Sequence, residues 1–229
     1  MLFRSLQEEG KDLVEDIFYP FSTNDFNIKG KDWGVMAQDY PWRKEYVFSP
    51  ELTLEQFLSW RSFFKVIKDR FANPVGAEIG VFEGYLSKFV LKYLNPKIYY
   101  LIDPYKEYKD TVGDLNYPQE TWDMIYSEVT KRFFYHPNVI LVRKSSIEAS
   151  KDIPDDSLDF VYIDGNHSPN SVYGDIVSWF PKVGVGGVIG GHDIIENTVK
   201  SGLYRFLVEN KEKDYEIKSG FNDWWIEKS

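Results

Sequence analysis

The chain has 229 residues, 43% hydrophobic and 17% aromatic, enough to bury one sizeable core and to read as one domain with an appendage. Its formal net charge of −9 disfavours a nucleic-acid partner, because phosphate binding draws on clustered Lys and Arg to release counterions. There is no cysteine, which excludes disulfide frameworks and thiolate metal sites; the leading segment reaches acidic residues before an apolar signal core can form, and no run of about 18 apolar residues follows, so a cytoplasmic protein with no membrane partner is expected.

Residues 1–70 are expected to form an N-terminal cap, distinct from a domain over residues 71–229. Its rings (Phe18, Tyr19, Phe21, Phe26, Trp33, Tyr40, Trp42, Tyr46 and Phe48) stand among polar and turn residues, and it closes with an amphipathic stretch, Leu54 to Phe71. Such a cap serves either as a substrate lid or as cover for one face of a sheet, and the preference of aromatic rings for burial favours cover.

From residue 75 onward short β-rich runs alternate with helical segments, the mark of a doubly wound α/β fold with a parallel sheet. Val75 to Ile79 reads as a strand, followed by a glycine turn and a helix with Leu86, Phe89, Val90, Tyr93 and Leu94 on one face. Ile98 to Ile102 is a second strand ending at Asp103. A helix between Pro118 and Tyr135 presents Trp122, Ile125, Val129 and Phe133 on its apolar face. Strands are then expected at Val139 to Val142, Leu158 to Ile163 and Gly187 to Gly190, with helices near Ser168 to Phe180 and Glu196 to Glu209. The last two strand-like runs, Asp214 to Lys218 and Trp224 to Lys228, lie too close together for a crossover helix and should pair as an antiparallel hairpin.

Two stretches carry chemistry. In Glu78-Ile79-Gly80-Val81-Phe82-Glu83-Gly84 a strand gives way to a helix. The glycines permit a sharp turn and close backbone approach, and the helix N-terminus offers free N–H groups to an anionic group. The spacing is GxxxG, not the GxGxxG of pyrophosphate binding. Asp103, nineteen residues past Gly84 at a strand end, can accept from both hydroxyls of a ribose; alone it could equally be a turn residue, and in register with the glycines it indicates a nucleoside. In the second stretch, Asp164 and Asp193 each follow a strand at the edge where open α/β sheets bind ligands. If those strands are neighbours the two carboxylates converge, with an adjacent imidazole, into a plausible divalent-cation site that His167 could enter as a neutral base. The remaining histidine, His136, precedes a proline in a loop and is expected at the surface.

These runs, together with Tyr100-Leu101-Ile102-Asp103-Pro104, Phe160 to Ser168 and Gly186 to Asp193, resemble class I S-adenosylmethionine (SAM)-dependent methyltransferases, and within them the macrocin-type, macrolide-sugar O-methyltransferases. The resemblance covers roughly residues 72 to 228. It implies a Rossmann-like, seven-stranded, mostly parallel sheet with helices on both faces and a C-terminal antiparallel hairpin. It further implies that Glu78, Gly80, Gly84 and Ser87 line the methionine side of SAM, that Asp103 holds the ribose, and that Ser146 lies near the adenine. By the same resemblance Asp164, His192 and Asp193 hold a divalent cation and His167 is the general base. His192 replaces an acid of the family's pattern, and imidazole suits a transition metal better than Mg²⁺. The expected activity is methylation of a small-molecule acceptor at a hydroxyl, with a homo-oligomer left open. The alternatives are a NAD(P)-dependent oxidoreductase, disfavoured by the missing GxGxxG and the hairpin, and a non-catalytic SAM-binding protein.

Overall fold

A computed structural model describes residues 52–107 and 117–229 of the chain. The cap's rings from Phe18 to Phe48 lie outside the described residues, as does most of the loop between Lys106 and Tyr117. The described elements, in chain order, are α1 (Leu54–Trp60), α2 (Ser62–Arg70), β1 (Val75–Ile79), α3 (Tyr85–Leu94), β2 (Ile98–Ile102), α4 (Gln119–Phe133), β3 (Val139–Val142), α5 (Ser146–Ser150), β4 (Leu158–Ile163), α6 (Pro169–Trp179), β5 (Val183–Gly191), α7 (Asn197–Glu209), β6 (Lys218–Gly220) and β7 (Asp223–Glu227).

The seven strands form one sheet in the order β3-β2-β1-β4-β5-β7-β6. The first five are parallel, and β7 runs antiparallel to both β5 and β6. This is the expected Rossmann-like arrangement with its antiparallel close. The chain winds outward from β1 to β3 and returns to β4, so strand order reverses between β1 and β4. A crevice opens there at the carboxyl ends, beyond the paired Ile79 and Ile163.

The period of two along each strand sorts the core into two layers. Tyr99 and Leu101 of β2 and Phe160 and Tyr162 of β4 join one apolar cluster with Phe57, Phe63, Phe64 and Ile67 of α1 and α2, with Phe89 of α3, and with Trp122, Ile125, Val129 and Phe133 of α4. On the other layer α6 packs on α7 and against β4 and β5, burying Val172, Ile176 and Trp179 beside Val199, Leu203 and Phe206. Residues 54–70 therefore cover the sheet, with Phe64 lying 4.7 Å from the Tyr162 ring. Four fully buried side chains there contribute about 1.5–3 kcal/mol each.

Three elements depart from expectation. The stretch Leu54 to Phe71 is two helices, because Arg61 leaves the helical region at φ −124°, ψ 80°. Strand β5 begins at Val183, paired with Leu158 across a bulge, four residues before the expected start. Strand β6 begins at Lys218 instead of Asp214: Asp214 is itself left-handed (φ 51°), which an extended strand excludes. The link to β7 is only Phe221-Asn222, with Phe221 at φ 52°, a two-residue turn in place of the expected five-residue loop.

Candidate functional site

Beyond β1 the chain turns at Gly80 with φ +85°, where an added Cβ would stand 2.1 Å from the carbonyl oxygen of Asp164. Only glycine lets the ends of β1 and β4 approach this closely. The Asp164 N–H in turn donates to the Ile79 carbonyl (2.8 Å). The turn is held from the side by Asp103 at the end of β2. One of its carboxylate oxygens accepts from the N–H groups of Val81 (3.1 Å) and Phe82 (2.9 Å), the other from that of Tyr105 (2.8 Å). Burial raises the Asp103 pKa, against the pull of those three bonds and the Arg143 charge. The three donors leave part of a carboxylate's acceptor capacity free. Gly84, at φ +71°, starts α3 and, having no side chain, caps it with none.

Glu78 and Ser87 lie one layer deeper. Both are buried, the Ser87 hydroxyl donates to Glu78 Oε2 (2.9 Å) and the Tyr99 hydroxyl donates to the same oxygen. Burial pushes the Glu78 carboxyl up to about 8, with both hydroxyl bonds opposing. Of the residues expected around a nucleoside, Gly80, Gly84 and Asp103 thus share the turn, and Glu78 and Ser87 buttress it from behind. Ser146 stands apart at the start of α5. Its Oγ accepts from Trp179 Nε1 (2.8 Å) and it bonds to Asp175, a buried carboxyl pushed up to about 7 by desolvation.

Strands β4 and β5 are neighbours with Ile163 opposite Gly191, which brings their following carboxylates together. His167 Nε2 lies 3.6 Å from Asp164 Oδ1, and its Nδ1 lies 3.4 Å from Asp193 Oδ2 and 3.1 Å from Glu196 Oε2. Burial alone would lower the His167 pKa, but Asp164, Asp193 and Glu196 overcome it and hold it up at about 9. Burial works to raise the Asp193 carboxyl, yet the hydrogen bond with the His192 ring, the His167 charge and Asn222 hold it below its usual range. Asp164, His167 and Asp193 each offer one ligand atom, all within 4.8 Å of one another. Two carboxylate oxygens and an imidazole nitrogen form a donor set that fits a divalent transition metal better than Mg²⁺. His192 lies outside that group. Its Nε2 faces Arg61 (2.8 Å) and its Nδ1 faces Asp193 Oδ1 (3.0 Å). His136 is exposed, as expected.

Four residues around this cluster carried no sequence signal: Arg61 at the α1–α2 break, Glu196 before α7, Asn222 in the hairpin turn and Asp223 opening β7. Asp223 is fully buried. Tyr162 OH donates to its Oδ1 (2.9 Å) and the Phe63 N–H to its Oδ2 (3.0 Å), and burial pushes it up to about 6 despite the neighbouring Arg61.

A family model described as a methyltransferase domain matches residues 77–194. An uncharacterized protein of Sinorhizobium fredii is 33% identical over 69 residues, covering 30% of this chain and only 8% of that protein. Among solved structures, a Corynebacterium glutamicum protein aligns with TM-score 0.55 and 12% identity over 79% of this chain and 83% of its own. The O-methyltransferase NovP aligns with TM-score 0.55 and 15% identity over 77% of this chain and 80% of its own. MycE, a methyltransferase of the mycinamycin biosynthetic pathway in complex with Mg, S-adenosylhomocysteine and mycinamycin VI, aligns with TM-score 0.51 and 14% identity; the match covers 80% of this chain and 52% of MycE. At such identities the likeness is one of fold.

Proposed function

The chain belongs to the methyltransferase-domain family, and from that premise we propose that it transfers the methyl group of SAM to a hydroxyl oxygen of a small-molecule acceptor, sugar-like or a natural product, with a divalent cation on Asp164 and Asp193 and His167 beside it as the base. The observation that carries the reading is contiguity. Asp164 touches the glycine turn through its main chain and the acid–imidazole cluster through its side chain. A donor held at the turn and an acceptor held at the cluster are thereby neighbours. NovP and MycE, an O-methyltransferase and a methyltransferase whose complex contains Mg and S-adenosylhomocysteine, support the same direction.

The cofactor arrives with its methyl group already activated by the sulfonium, so the protein has mainly to align an oxygen and remove its proton. In this reading the N-terminus of α3, reached past the Gly84 backbone, would receive the methionine carboxylate, Asp103 would use its spare acceptor capacity on the ribose, and Glu78 would back the turn. Asp164 and Asp193 would hold the cation, which when bound would supply the positive charge that acidifies the acceptor's hydroxyl. With three carboxylates around it, His167 holds its proton at neutral pH; with the charges of Asp164 and Asp193 balanced by a cation, it would be free to accept the hydroxyl proton.

His167→Ala should lower turnover about 10²- to 10⁴-fold with SAM affinity, measured by calorimetry, essentially unchanged. Mass spectrometry of the wild-type product should show the gain of one methyl. Full turnover in His167→Ala after exhaustive chelation would overturn the mechanism.

A further inference from the structure

Arg61 is 6% exposed, a guanidinium placed beside the acidic cluster by the break between α1 and α2. It lies over the Trp60 ring at 4.0 Å, and NH1 points at His192 Nε2 at 2.8 Å. A guanidinium has donors only, so Nε2 must accept. Asn222 Nδ2 faces the same nitrogen at 3.4 Å. With Nε2 occupied by donors, the ring proton belongs on Nδ1, 3.0 Å from Asp193 Oδ1. That oxygen also accepts from Asn222 Nδ2 (2.7 Å), which leaves Oδ2 as the one turned toward His167. The His192 main chain is fixed as well: its N–H donates to the Ile163 carbonyl (3.1 Å) and its own carbonyl accepts from Trp224 Nε1 (3.2 Å). Asp193 itself sits at φ 57°, a conformation that few non-glycine residues keep without such restraint.

We propose that Arg61 and Asn222 are positioning residues that lock His192 as its Nδ1–H tautomer, so that His192 clamps Asp193 Oδ1 and presents Oδ2 alone to the reaction site. The proposal rests on the reading of the cluster as the acceptor side of a methyltransferase, and it gives His192 the role of orienting a ligand in place of being one. Second-sphere partners of this kind fix ring orientation and sharpen the geometry of the groups they touch. Lysine would not substitute at position 61, because a compact ammonium on a flexible stem lacks the guanidinium's planar array of donors.

The test is long-range ¹H–¹⁵N correlation spectroscopy of the ¹⁵N-labelled full-length protein without added metal; His136→Gln and His167→Gln assign the third imidazole. The wild-type His192 ring should carry its proton on Nδ1 with Nε2 bare. In Arg61→Met the population should shift toward Nε2–H, and turnover should fall about 10- to 100-fold with the SAM dissociation constant unchanged. A wild-type ring protonated on Nε2, or on both nitrogens, overturns the proposal with no variant required. So does a tautomer that Arg61→Met leaves unmoved. Calorimetry with SAM on the same sample separates the two readings. The predicted tautomer without SAM association sinks the methyltransferase reading, whereas SAM association with the wrong tautomer sinks the lock alone.

Discussion

The two halves of the crevice are built on opposite principles. At the glycine turn the carboxyl groups look inward: Asp103 is spent on three main-chain N–H groups and Glu78 on two hydroxyls. At the far side Asp164, His167 and Asp193 remain partly exposed, with side-chain accessibilities of 25%, 29% and 20%, and the surrounding carboxylates sustain the His167 charge against burial. The first half is a shape already fixed by its own hydrogen bonds. The second is an electrostatic arrangement whose balance a bound cation would change. Preorganisation is costly to disturb by sterics, whereas a charge cluster is sensitive to pH and metal.

The sharpest way to break the contrast is Gly80→Ala. The new Cβ meets the Asp164 carbonyl at 2.1 Å and the backbone is held at φ +85°, so chemical denaturation should show a loss of about 3 kcal/mol or more. A near-neutral result would mean that the ends of β1 and β4 can separate and that the turn is not preformed.

A smaller effect should appear in pH dependence. The Glu78 carboxyl ionises near 8 in the fold against 4.5 as a free group, so the acid form is the one the fold prefers. Its contribution to stability is full below about pH 4.5 and is lost as pH rises through about 8. Asp175 and Asp223, pushed up to about 7 and about 6, act in the same direction. Glu78→Gln should flatten the decline between pH 4.5 and 8 by up to about 1.4 kcal/mol per pH unit. An unchanged slope in denaturant titrations would show that Glu78 is ionised in the fold.

The gentlest probe acts on the open half alone. Adding Mn²⁺ or Zn²⁺ at pH 7.5 should release close to one proton as His167 gives up the charge that the carboxylates sustain. Calorimetric heats in buffers of differing ionisation enthalpy would report it, and His167→Ala should abolish it. Metal association with no proton release would remove His167 from the cluster's charge balance.

Much of this contrast is readable from the chain. The apolar run from Leu158 to Ile163 and the helical spacing of Trp122, Ile125, Val129 and Phe133 mark their elements, because a strand buried on both faces reads as nearly unbroken apolar sequence and a helix buried on one face keeps its period. Asp164 and Asp193 could be paired in advance on the one condition that the strands they follow are neighbours, which the β4–β5 pairing meets. Arg61 could not, since its place depends on a helix break inside a stretch whose apolar spacing reads as continuous. Asn222 depends on a two-residue turn whose left-handed position is filled by Phe221, where a glycine would have announced it. The pairing of Ser146 with Trp179 and Asp175 joins α5 to α6, and contacts between separate helices leave no mark on local periodicity.

The double duty of Asp164 sets a limit on how this site can diversify. Since one peptide unit borders the turn while its own side chain enters the charged cluster, the separation of the two compartments is dictated by covalent geometry. If the site transfers a methyl group as proposed, point substitutions would alter which acceptor is admitted, or how its proton is handled. Lengthening the distance that a migrating group must cross would require rebuilding the strand end itself, so changes in acceptor range should fall in the surrounding loops and in the segment preceding β1.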